Sequence, residues 1–82
     1  MPVVLRVKGY RFWFYEADLD EPPHVHVGKA GGEAKYWLTP VALARARGFR
    51  QQELNQIERI IADYMSDLLE VWEMEVKKRG NR

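Results

Sequence analysis

Glu21-Pro22-Pro23-His24-Val25-His26-Val27 leaves the chain fewer options than any other stretch. Each proline fixes φ and lacks an N–H, and Pro23 holds Pro22 extended. The chain therefore enters the next segment stiffly. His24-Val25-His26-Val27 then alternates polar and apolar, the pattern of a half-buried strand. Residues i and i+2 of a strand share a face. His24 and His26 are expected side by side on one face, with Val25 and Val27 turned to the core.

Three further strands follow from the same reasoning. Residues 3–7 and 10–15 read as a hairpin turned at Lys8-Gly9. That turn pairs Val7 with Tyr10, Leu5 with Phe12 and Val3 with Phe14, six apolar or aromatic side chains on one face. It also sets Arg6 opposite Arg11, an unfavourable like-charge pair. Residues 24–29 and 33–38 form a second hairpin. A turn on Gly31-Gly32 pairs Val27 with Tyr36 and His26 with Trp37; slipping it by one residue mixes the faces. Between the hairpins, Glu16, Asp18, Asp20 and Glu21 make an acidic loop without the glycine and spaced glutamate of a calcium-binding loop.

The C-terminal half reads as helical. Thr39 suits an N-cap, Pro40 the first helical position, and Leu38 can staple to Leu43, so a short helix is expected up to Gly48. A long helix follows over residues 51–76, with Glu53 placed to reach back to its N-cap. Its apolar residues cover about half the cylinder, more than the roughly 100° stripe of a simple surface helix. Twenty-six residues span about 39 Å, whereas four strands make a sheet roughly 15–20 Å across. The distal half should overhang the sheet, and Leu68, Leu69 and Trp72 are the residues through which a homodimer would form. Residues 77–82 read as a frayed basic tail. The expected fold is a single α+β domain of two layers: a four-stranded antiparallel sheet with one short and one long C-terminal helix on one face.

Composition narrows the function classes. The absence of cysteine excludes disulfides and cysteine-based zinc sites. The N-terminal apolar run is broken by Arg6 and Lys8, too early for a signal peptide, and no run approaches the roughly 20 residues of a membrane span. A cytoplasmic protein is expected. A net charge of +1 weakens bulk attraction to nucleic acid but leaves room for a local basic patch.

The histidine pair has three readings. Two imidazoles at i, i+2 can share a divalent metal ion with Glu16, Asp18 or Glu33 as a further ligand. One can act as general acid or base, its pKa raised by the acidic loop. Or both rings pack on Trp13 and Trp37 for structural reasons. Ser66, the only serine, lies far along the chain, which counts against a hydrolase triad. Around the pair, Arg6, Arg11, Trp13, Tyr15, His24, His26, Lys35 and Trp37 are expected on the outer sheet face. Basic and aromatic residues together there suit stacking on bases and neutralising phosphates, and suit a protein interface equally. Arg45, Arg47 and Arg50 cluster at the interhelix turn, but the second helix lacks base-reading residues in its first turns, so a helix-turn-helix is disfavoured.

The order of motifs resembles a family of small bacterial proteins, domain of unknown function 4160. The residues that carry the likeness are Gly9-Tyr10-Arg11-Phe12-Trp13-Phe14-Tyr15, Glu21-Pro22-Pro23-His24-Val25-His26-Val27, Ala34-Lys35-Tyr36-Trp37-Leu38, Gly48-Phe49, Glu53-Leu54 and Trp72. The chain departs at Glu16-Ala17, where relatives often carry Ser-Asn, and at Arg50, where they carry a small polar cap. The resemblance implies no established activity. It implies a small partner protein from a neighbouring gene, in a toxin–antitoxin-like or regulatory pair, with a nucleic acid as a further partner. The expected function is a non-enzymatic interaction module without cofactor. The alternative is a metal-assisted nuclease or hydrolase built on His24 and His26.

Overall fold

The computed structural model describes residues 3–80, apart from the side chain of Asp18. It is an α+β fold in which five antiparallel strands lie in sequence order: β1 (Val3–Val7), β2 (Tyr10–Trp13), β3 (His24–Lys29), β4 (Gly32–Leu38) and β5 (Val41–Arg47). Two helices follow, α1 (Gln51–Asp63) and α2 (Met65–Gly80), and a 3-10 helix over Glu16–Asp20 links β2 towards β3.

The first hairpin has the expected turn. Lys8 and Gly9 both take positive φ, 52° and 85°, as a two-residue turn between twisted strands requires. Val7 pairs with Tyr10, Leu5 with Phe12, and Arg6 with Arg11. A bulge then shifts Val3 onto Trp13 rather than Phe14. The like-charged arginine pair is thus present, with both side chains in solvent, where water screens the repulsion.

The second hairpin departs from expectation by two residues. The turn falls on Ala30-Gly31, both at positive φ, so Val25 faces Tyr36, Val27 faces Ala34, and His26 faces Lys35. Because side chains alternate with period two, this shift preserves every face and changes only the partners. Burial alone could not separate the two registers.

The largest correction concerns residues 39–48. The expected short helix is strand β5, and the sheet has five strands rather than four. Thr39 and Pro40 form the turn, and Leu38 pairs with Val41 instead of stapling to Leu43, which is 44% exposed. The physical reason lies in β4. Its Tyr36 and Leu38 are buried, and a second partner strand satisfies the backbone of a strand at that depth. Tertiary pairing overrides the helical preference of an alanine-rich segment.

The long helix is likewise divided. Tyr64 leaves helical geometry, at φ −109° and ψ 17°, and separates α1 from α2. Glu53 does reach back as expected, accepting the Arg50 backbone N–H at 2.9 Å. α1 lays Leu54, Ile57, Ile60 and Ile61 into a core with Tyr10, Phe12, Val25, Val27 and Tyr36. Beyond the break, α2 runs beside the 3-10 segment. Leu68 and Trp72, expected at a homodimer interface, are buried in this chain's own core, and Leu69 packs against it. Residues 77–80, expected in the frayed tail, continue α2, and Arg79 bonds Asp20 at 2.9 Å. Asn81 and Arg82, the rest of that tail, lie outside the described residues.

Two hydroxyls tie the sheet to α1. Tyr10 donates to Gln56 Oε1 and Tyr36 to Glu58 Oε2, both at 3.0 Å. Burial raises both phenol pKa values; the Glu53 charge adds for Tyr10, and the hydrogen bond to Glu58 and its charge add for Tyr36.

Two measurements check this account. Above pH 10.0, the ordinary phenol value, an unfolded tyrosine ionises while folded Tyr36 stays protonated. The unfolded state then binds fewer protons, so stability present below that pH falls as pH rises through it. Urea midpoints should decline above about pH 10, and Tyr36→Phe should flatten the decline at a cost of about 1 kcal/mol at neutral pH. Gly48 combines φ +75° with a would-be Cβ that strikes the Gly31 carbonyl, whereas Gly31, at φ +81°, has open space. Gly31→Ala should cost about 1 kcal/mol and Gly48→Ala clearly more, about 2–4 kcal/mol, by urea denaturation; equal losses would contradict the close approach.

Candidate interaction surface

Register places side chains on the sheet face away from α1 in three rows. The first runs Arg6, Arg11, Gly28, Glu33 and Arg47 across all five strands. The second runs Trp13, His26, Lys35 and Arg45, and the third His24, Trp37 and Ala42. Tyr15 follows the end of β2 and meets the His26 ring at 4.7 Å. The structure therefore brings together all eight residues expected on this face. It adds Gly28, Glu33, Arg45 and Arg47, the last two through β5.

The face is not uniformly open. His24 is 0% exposed and His26 4%. His24 lies among Trp37, His26 and Trp72, with ring centroids at 5.4, 5.3 and 5.2 Å. Trp72 also meets Phe14 edge-on at 5.2 Å. This one indole of α2 thus touches both Phe14 and His24, the latter on the face away from α1. His24 Nδ1 lies 3.0 Å from the Pro22 carbonyl oxygen. A carbonyl only accepts, so this contact places the proton of a neutral ring on Nδ1. The stiff proline entry thereby also orients the first histidine.

The histidines are expected surface residues that the fold withdraws into an aromatic cluster. As metal ligands they lack company: among the described residues no three His, Cys, Asp or Glu side chains gather closely enough to hold an ion. The side chain of Asp18, one of the expected ligands, lies outside the described residues, and Glu33 sits in the row beside Arg47.

Lys35 is also drawn inward. Its ammonium donates to Glu21 Oε1 at 3.0 Å and lies 4.6 Å from the centre of the Trp37 ring. Glu21, expected only as part of a solvated loop, thus matches a nearly buried charge. Arg47 lies 3.5 Å from Glu33, an exposed pair of small energetic value. Among the described residues, no carboxylate pairs with Arg6, Arg11 or Arg45.

The outward-facing centre is Trp13. Its ring lies over Gly28: a Cβ there would sit 3.0 Å from Cη2 and 3.1 Å from Cζ3 of the indole, and 3.6 Å from an Arg11 guanidinium nitrogen. Glycine lets the indole lie down against the backbone, its edge towards Tyr15 and its plane 20° from that of His26. Beside it a shallow cleft of about 270 Å³ is lined by Arg11, Trp13, Gly28, Glu33 and Arg47, among others. Tyr15 is 45% exposed and Trp13 half-buried. The arrangement offers a flat aromatic plate with cationic groups around it. The three rows contain no serine, threonine or cysteine.

Sequence reasoning missed the placement of four residues here. No periodicity assigns Trp72 to His24. The pairing of Glu21 with Lys35 depends on how the loop returns. Arg45 and Arg47 carried a legible sign, the period-two alternation Ala44-Arg45-Ala46-Arg47, which a strand explains and a helix does not.

If the histidines are core and the arginines surface, substitutions should separate them. His24→Ala is expected to cost about 2–4 kcal/mol, as for other large-to-small changes in a packed site, and Arg11→Ala less than about 0.5 kcal/mol. Chemical denaturation followed by tryptophan fluorescence measures both; similar small losses would return the histidines to the surface.

The family model for Domain of unknown function (DUF4160) matches residues 9–73, from the first turn to the residue after Trp72. No curated protein and no solved structure matches the chain. The chain belongs to the DUF4160 family.

Proposed function

We propose that this member of the DUF4160 family is a non-enzymatic interaction module. It binds a small partner protein, or a nucleic acid, through the aromatic–basic side of its sheet. The observation that carries this reading is Trp13 laid across Gly28, with Arg11 beside it and Arg6 and Arg45 at the ends of its row and the next. Trp13 is half-buried with Tyr15 exposed beside it, and tryptophan, tyrosine and arginine are the residues enriched at binding hot spots. The role in a toxin–antitoxin-like or regulatory gene pair comes from the family resemblance, which also names a neighbouring gene as the source of the partner.

Metal-assisted hydrolysis at His24 and His26 has less support. Both rings are buried between aromatic side chains, and hydrolysis needs an open coordination position that substrate can reach. The helices add no membrane reading: none among the described residues is long and apolar enough to cross a bilayer.

The test is partner retention. Native mass spectrometry of the untagged chain from its source cells should find a small protein or an oligonucleotide bound. An Arg11→Ala/Trp13→Ala/Trp37→Ala variant should lose it at least tenfold. The Arg11→Ala/Trp13→Ala double variant, which leaves the packing of Trp37 on His24 and Lys35 intact, should lose most of it. Undiminished retention by both folded variants would overturn the reading.

A further inference from the structure

The most exposed element of the sheet is its last strand. β5 ends the strand order, pairs with β4 alone, and has six exposed residues out of seven. Alternate amides and carbonyls along its free side therefore point away from the sheet. Its two faces differ in chemistry. Val41, Leu43 and Ala46 share the face of Leu38, Tyr36 and Ala34, towards the core layer. Arg45 and Arg47 share the face of Lys35 and Glu33, continuing the basic rows. The remaining edge, β1, is largely half-buried.

We propose that β5 is a docking edge that accepts an extended segment of a partner protein, and that this segment alternates acidic and apolar side chains. The free backbone edge selects an extended peptide, because only another strand completes its ladder. The alternation follows from the two faces. On one, a partner's apolar residues cover Val41 and Leu43; on the other, its carboxylates meet Arg45, which has no carboxylate partner among the described residues, and Arg47, whose contact with Glu33 is long and exposed. Charged flanks and a bulge are also how edges avoid indiscriminate pairing, and β5 has both: its register shifts opposite Lys35 and Tyr36, around Ala44. These arginines lie on the strand's outer face, so they reject basic or wholly apolar strands and admit acidic ones. A protein fits better than a nucleic acid. Lys35 and the histidines are withdrawn from the surface, and a net charge of +1 supplies little long-range attraction for a polyanion.

This inference deepens the interaction-module reading and rests on it, but its test uses a different part of the surface. The full ¹⁵N-labelled chain is titrated with a capped seven-residue peptide of alternating glutamate and valine, with its lysine–valine counterpart, and with a twelve-nucleotide oligouridylate. The acidic peptide should shift the amides of Val41–Arg47 most and bind at least tenfold more tightly than the basic one. Arg45→Glu, which places a carboxylate beside Lys35 and leaves the fold intact, should remove most of that preference. No shift at millimolar peptide, equal response to both peptides, or shifts centred on Trp13 would overturn the proposal. So would an oligouridylate that moves Val41–Arg47 more strongly than the peptide, or broadening of those amides with protein concentration alone, which would assign the edge to a second copy. The Arg11→Ala/Trp13→Ala variant leaves β4 and β5 unchanged, so peptide binding there separates failure of the docking edge from failure of the aromatic–basic reading.

Discussion

Burial of β3 on both faces is the constraint from which the rest of the fold follows. From His24 to Gly28 every side chain is withdrawn from solvent, although the sequence alternates polar and apolar. A strand at that depth must satisfy its backbone on both sides, and β2 and β4 do so. Its valines go to the layer shared with α1. Its histidines require a second cover, which comes from Trp13 and Trp37 within the sheet, Tyr15 just beyond β2 and Trp72 of α2. A pair of polar rings is thereby placed in an aromatic setting.

That second cover draws on the helix beyond the interruption at Tyr64. Leu68 and Trp72 of α2 are buried in the core, and Arg79 fastens the far end of α2 to the 3-10 segment through Asp20 and the Glu16 carbonyl. Trp72 couples three elements at once, since it meets Phe14 beyond β2 and His24 at the start of β3. Leu68 and Trp72, two of the residues that the sequence offers to a second copy, are buried within one chain.

The outward face is consequently smaller and more specific than eight residues on an open sheet would be. Its centre is an indole on a glycine, its charge lies in the arginines, and its far side ends in a strand that contributes little to the core. Histidine and lysine serve the interior. A net charge of +1 gives this surface little long-range field to attract a polyanion.

The sequence by itself determined the first hairpin, the direction of β3, the faces of all four expected strands and the start of α1. Each rests on a local rule: proline geometry, positive φ at a turn, side-chain alternation, or a glutamate reaching back to its cap. Family membership was legible for the same reason, since its motifs are short and contiguous. Only tertiary structure decided the register of β3 against β4, because a shift of two residues leaves the buried set unchanged. It settled residues 41–47 as a strand, where the need to pair β4 joins the alternation of Ala44–Arg47 and outweighs the helical preference of alanine. And it alone buried His24, because the ring that covers it lies 48 residues away, beyond a helix break that no periodicity marks.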